Sequence, residues 1–143
     1  MGLDNGIILR RLTTDKSIKE QIENKTLEKV YVTPSDFCVE KTDDSLCYWR
    51  KCWNIRKAFL NVLDKPDNLG GLRGYYLIEP EEIPAIMRNI IKLCNKDEWE
   101  DDNPIWEFEE MQESLIIDLV NLKLLQKYLN ENKDVIALFY DSY

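Results

Sequence analysis

From Asn103-Pro104 to about Asn130 the chain sets Phe108, Met111, Leu115, Leu119, Leu122 and Leu129 at helical spacing, behind a proline suited to a helix start. A second row, Ile116, Val120 and Leu124, widens this stripe beyond one face. A helix that long and that broadly apolar is expected to be packed on two sides and to lie at the centre of the fold. A chain of 143 residues is one domain by length and can bury one core. The other elements are therefore expected to gather around this helix.

Those elements read as short strands and helices. Asn5-Gly6 signals a turn, with Ile7 to Arg11 following as an edge strand. Thr14 or Asp15 caps a short polar helix through about Asn24, and Leu27 to Val32 alternates as a second strand. Pro34 to Asp44 is expected to be irregular, anchored by Phe37 and Val39. Asp43-Asp44-Ser45 offers a cap and favourable charge for a helix from about Leu46 to Leu63, which the turn-rich Asp64 to Gly71 ends. Gly74 to Ile78 reads as a third strand. Pro80 opens a helix to about Asn95 with Ile83, Ile86, Ile90 and Leu93 inward, and Asp134 to Tyr140 is a final strand. The expected fold is a single α+β domain over residues 1–143, a small, mostly antiparallel sheet of about four strands backed by three to four helices.

The chain has no histidine, and Cys38, Cys47, Cys52 and Cys94 form no Cys-x-x-Cys pair. That excludes zinc fingers, Cys-His and Ser-His nucleophiles and imidazole bases, and a four-cysteine metal site would lack the usual knuckles. Four reduced cysteines, mostly buried as small hydrophobes, are expected, with no cofactor and no catalytic residue. No apolar run approaches the roughly 18 residues that span a bilayer, and the first residues lack a signal-peptide pattern, so a cytoplasmic protein without a membrane partner is expected. The net charge is −8, but residues 1–63 hold 11 Lys and Arg against 9 Asp and Glu (+2), and residues 64–143 hold 8 against 18 (−10). A weakly basic front half can host an anionic ligand, whereas the acidic back half repels DNA, so direct duplex binding is not expected.

Tyr48-Trp49-Arg50-Lys51-Cys52-Trp53-Asn54-Ile55-Arg56 concentrates aromatic and cationic residues. As a helix it would set Trp49, Trp53, Arg56 and Leu60 on one stripe. A guanidinium there needs a carboxylate, a phosphate or an aromatic face. In one reading the stripe is core and Asp4 is the partner of Arg56. In the other it lines a pocket, where an indole stacks on a flat group and Arg56 binds an anion, with Arg50, Lys51 and Asn54 at the rim and Asp4 and Asn5 reaching across. Tyr75, Tyr76, Tyr140 and Tyr143 are read first as ordinary strand packing, with a shared rim on one sheet face as the alternative.

Asp97 to Glu110 contains eight acidic residues in fourteen, interrupted by Trp99, Pro104, Trp106 and Phe108. Three readings stand: a solvated helix start, a protein interface made by Glu98, Trp99, Glu100, Asp101, Asp102 and Trp106, or a carboxylate metal site without the Asp-x-Asp-x-Asp-Gly pattern.

Met1-Gly2-Leu3-Asp4, with Tyr48-Trp49-Arg50-Lys51 and then Asn54-Ile55, resembles a group of small phage and prophage proteins that begin Met-Gly-Leu-Asp and carry a Tyr-Trp-Arg-Lys helix. Where many of that group have Met-Tyr and His, this chain has Asn5-Gly6 and Arg56. The resemblance implies phage origin and an accessory role. The expected function is non-enzymatic binding in the host cytoplasm that counters antiphage immunity by capturing a nucleotide-like signal at Asp4, Asn5, Trp49, Arg50, Trp53 and Arg56. Two alternatives stand beside it: an acidic nucleic-acid mimic blocking a host defence protein such as a nuclease, and an enzyme working without histidine through Asp, Glu, Tyr or Lys. A homo-oligomer is open.

Overall fold

The computed structural model describes residues 4–13, 15–30, 45–50, 52–70, 74–94 and 105–142, with the backbone alone at 45, 46, 50 and 105–111. Among these the order is β1 (Asp4–Arg11), α1 (Ile18–Glu23), β2 (Glu28–Lys29), β3 (Ser45–Arg50), α2 (Trp53–Leu63), β4 (Tyr75–Ile78), a 3-10 turn (Pro80–Glu82), α3 (Ile83–Leu93), α4 (Ile105–Glu131) and β5 (Val135–Ser142). The chain is an α+β protein whose sheet is antiparallel throughout.

β1 is the hub of the sheet. It pairs with β5 over its whole length, from Asp4 opposite Ser142 to Arg11 opposite Val135. Its other edge pairs with β3 as far as Ile8, then with β2 at Arg10 and Arg11, and the register slips between Ile7 and Ile8 where one partner gives way to the next. β4 completes the sheet on the outer side of β5. The expected Asn5-Gly6 turn is thus a central strand. Pairing on both sides satisfies its backbone, so local turn preference loses to the ladder.

Strand alternation sorts side chains between two layers. Ile7, Leu9, Trp49, Ile78, Val135, Ala137 and Phe139 face α2, α3 and α4, and join Ile55, Phe59, Leu63, Ile86, Ile90, Leu122 and Leu125 in the main core. The Phe59 and Phe139 rings stack at 4.4 Å, with Trp49 tilted against Phe59 at 5.3 Å. On the other face Ile8, Ile136 and Leu138 meet Ile22 of α1 in a smaller cluster. Both faces of the sheet are therefore occupied, which explains the unbroken apolar run of β5.

The segment expected as one helix from Leu46 to Leu63 is a strand followed by a helix. Cys47 and Trp49 are buried while Tyr48 is 50% exposed, the period of two that a strand requires. The edge of β1 needed a partner, and an aromatic-rich segment suits a half-buried strand. The break sets Trp49 in the core and leaves Trp53, the first residue of α2, 42% exposed, so the proposed stripe does not exist.

α1 is capped by Ser17, not by Thr14 or Asp15, through a bond from the Glu20 amide. The helix expected from Pro80 starts as the 3-10 turn, where the Glu79 amide donates to Glu82 Oε1 at 2.9 Å. Pro84 lies in the first turn of α3 and does not break it. The expected second row on α4 fails in part: Ile116 is 67% and Val120 44% exposed, and only Leu124 leans on the core. One packed face, carrying Leu115, Leu122, Leu125 and Leu129, is all that the sheet and α3 provide. Residues 31–44 and 95–104 lie outside the described residues, and with them the irregular segment at Pro34 to Asp44, Asn95 and the Asn103-Pro104 start.

Candidate functional site

Asn5 and Asp141 stand opposite each other on β1 and β5, on the face that α2 covers. Arg56, one turn into α2, donates from Nε to both oxygens of Asp141 at 2.9 and 3.0 Å, and its Nη2 lies 2.9 Å from Oδ2. Asn5 adds a bond from Nδ2 to Asp141 Oδ1 at 2.8 Å and another to the Tyr140 carbonyl at 3.3 Å. Its own Oδ1 is enclosed and accepts nothing. The exposed Trp53 ring lies 5.7 Å from the Arg56 guanidinium carbon, a cation–π contact.

This geometry divides the six expected binding residues. Arg56 has an internal carboxylate, but it is Asp141, while Asp4 points to the other face and accepts from the Tyr48 hydroxyl at 2.6 Å. The Trp49 indole N–H is directed at Asp118 of α4, 2.9 Å away, so it ties the long helix to β3 and offers no stacking face. Burial pushes the Asp118 carboxyl up to about 6, against the downward pull of the indole bond. Asn54 is buried and donates to the Leu93 carbonyl, so it joins α2 to α3 and rims nothing. Arg50 is described by its backbone alone, in β3, and Lys51 lies outside the described residues. Asn5, Arg56 and Trp53 are thus brought together, whereas Asp4, Trp49 and Asn54 are held apart from them. Glu98, Trp99, Glu100, Asp101 and Asp102 of the expected interface lie outside the described residues, and Trp106 falls where α4 is backbone only.

A different place gathers ligand-binding chemistry. On the sheet face opposite the main core, α1 and β4 flank a cleft of about 460 Å³, within the size range of small-molecule sites. Ile8 and Leu138 supply an apolar floor, Ile22 and Leu27 one wall, and Tyr75 an aromatic face, while Arg10 and Lys25 carry the charge. Among the described residues no carboxylate pairs with either cation. Arg10 follows Ile8 on the same face, and its Nη1 is braced on the Leu9 carbonyl at 2.8 Å. Lys29 stands directly across from Arg10 in the register, a like-charge juxtaposition that strands normally avoid.

The wall formed by α1 is fixed from within. Gln21 is fully buried, accepts from the Thr13 amide and donates to the Thr13 and Lys16 carbonyls, which pins the helix to the end of β1. Past the helix, the Lys25 amide donates to the Ile22 carbonyl and the Thr26 amide to Gln21, the paired bonds of a left-handed C-terminal cap. Lys25 holds that position at φ 55°, the only left-handed residue other than glycine among those described. A glycine would normally sit here, and a lysine accepts strain to put an ammonium at the cleft.

Tyr75 also ends a transverse row. Tyr48, Gly6, Tyr140 and Tyr75 face one another across β3, β1, β5 and β4. The Tyr140 ring crosses Gly6 so closely that an added Cβ would meet it at 2.6 Å. Of the four tyrosines for which a shared rim is the alternative, Tyr75 and Tyr140 lie on one face, Tyr76 turns into the core, and Tyr143 lies outside the described residues. Sequence reasoning missed Arg10 and Lys25 as a pair, although the basic excess of the front half was a signal for it.

Cys47, Cys52 and Cys94 are buried thiols, and Cys38 is outside the described residues. Among the described residues no three His, Cys, Asp or Glu side chains cluster as metal ligands, and no helix is long and apolar enough to cross a membrane. Compared with protein-family models, curated proteins and solved structures, the chain matches none.

Proposed function

We propose that this protein is a non-enzymatic binding protein that captures a small anionic, nucleotide-like molecule. On the resemblance to the phage group, we take that capture to serve a phage in the host cytoplasm by withdrawing a signal of bacterial immunity. The observation that carries the reading is the cleft itself. An apolar floor and the Tyr75 face suit a flat base, and two cations without carboxylate partners among the described residues suit a phosphate. The Trp53–Arg56 patch is the weaker candidate, because Asp141 already neutralises its guanidinium.

Thermal shift and calorimetric titration with adenine nucleotides, adenosine and orthophosphate test it. Nucleotides are expected to raise the melting temperature with concentration, and more than adenosine does. Arg10→Ala should weaken nucleotide binding about tenfold or more, while Trp53→Ala leaves it unchanged. No shift with any nucleotide overturns the binding role. Loss through Trp53→Ala instead of Arg10→Ala overturns the assignment to the cleft and moves the ligand to α2.

A further inference from the structure

The outward face of α4 carries Glu113, Ile116, Val120, Lys123 and Lys127, all exposed, at spacings of three, four, three and four. That spacing places all five on one line along the helix, the spacing by which one helix packs against another. Within its own chain, α4 spends the opposite face on the core, through Leu115, Leu122, Leu125 and Leu129. The seam has a definite polarity, with an acid at one end, two β-branched apolar residues in the middle and bases at the other. Its centre is position 118, midway between Ile116 and Val120, and Glu113 and Lys123 each lie five residues from it.

We infer that α4 is the interface of a two-fold homodimer, in which two copies of the helix pair antiparallel through their outward faces, with the axis at the level of residue 118 along the helix. A two-fold axis there brings Ile116 of one copy against Val120 of the other, twice. The same operation sets Glu113 against Lys123 of the second copy at both ends, so each charge meets its opposite. A parallel pairing would place acid on acid and base on base. The seam is thus complementary to itself in one orientation only, and the occupant it fits is a second copy of this chain. Lys123 contacts only the neutral Gln126, at 3.5 Å, among its described neighbours, so its charge remains for a partner. The inference does not depend on the ligand reading, since the cleft lies on the far side of the sheet from α4.

Sedimentation velocity of the full chain over a concentration series is the test, with circular dichroism as the check on folding. The wild type is expected to dimerise reversibly, with a dissociation constant in the micromolar range because the apolar centre is small. Ile116→Asp should raise that constant about a hundredfold without changing the fold, because the side chain is exposed in the monomer. Glu113→Lys and Lys123→Glu should each weaken the dimer, and the double exchange should restore it, since antiparallel complementarity survives the swap. A wild type that stays monomeric at every concentration overturns the inference. So does a dimer indifferent to Ile116→Asp, or a double exchange that fails to restore association.

Discussion

Arg56 and Asp141 lock α2 onto the last strand of the sheet: both Nε and Nη2 of the guanidinium reach the carboxylate within 3.0 Å, and only 6% of the Asp141 side chain meets solvent. Two charged hydrogen bonds in a fixed fork give this contact direction as well as energy. Asn5 braces the same carboxylate from β1, so three elements converge on one group.

Removing the cation should therefore strand a charge. Arg56→Ala is expected to lower stability by about 3 kcal/mol, the low end for broken buried pairs, because Arg56 keeps some contact with water. Arg56→Met with Asp141→Leu should recover part of that loss, since the apolar pair removes both charges and leaves only the buried Asn5 amide without its carboxylate. Urea unfolding of the single and double variants measures the difference, and a single variant as stable as wild type would contradict the buried-pair account.

Lys25 gives the opposite sign. Its left-handed backbone is a position where glycine is at ease, so Lys25→Gly should stabilise the fold by about 1 kcal/mol. The same change removes one of the two cations of the cleft and should weaken nucleotide binding. A more stable protein that binds less well is the signature of a residue kept for function. Thermal unfolding with and without ligand reads both effects from one preparation.

The segments with a clear apolar pattern were legible from sequence: the unbroken run of β5, the strand β4, the inward row Ile83, Ile86 and Ile90 of α3 and the packed face of α4. What misled was the segment around Trp49, where nine residues contain a strand end and a helix start. No helical window separates these, and the deciding fact, an open edge on β1, lies forty residues away in the chain. Asp141 was within reach of sequence reasoning, since it continues the inward alternation of Ala137 and Phe139. Asp118 was not, because a carboxylate on the inner side of a helix breaks the apolar pattern and only tertiary contact reveals its indole partner. The cleft was hidden for the same reason: Arg10 and Lys25 meet only once α1 folds back over the sheet.

Gly6 is fixed by its two neighbours. A Cβ there would meet the Tyr140 ring at 2.6 Å and the Cys47 carbonyl oxygen at 2.7 Å. The ring can swing aside, but the carbonyl belongs to the paired strand and cannot. Gly6→Ala should therefore lower stability by about 2 kcal/mol, and adding Tyr140→Ala should not restore it. Full recovery in the double variant would show that the ring alone excludes the side chain.

Asp118 predicts the pH dependence. Burial raises its carboxyl from 3.8 to about 6, so between those values the folded protein binds more protons than the unfolded chain. Stability from this group must then fall as pH rises through that window, and the deficit is fully present above pH 6. Asp118→Asn keeps an acceptor for the Trp49 indole and removes the charge. At pH 7 the variant should be more stable than wild type by on the order of 1–2 kcal/mol, and the gap should close as pH falls to 4. Urea titrations of both proteins at pH 4, 5, 6 and 7 measure it. A gap that stays constant across the series would mean that Asp118 titrates as an ordinary surface carboxylate, and that its contact with Trp49 carries no burial penalty.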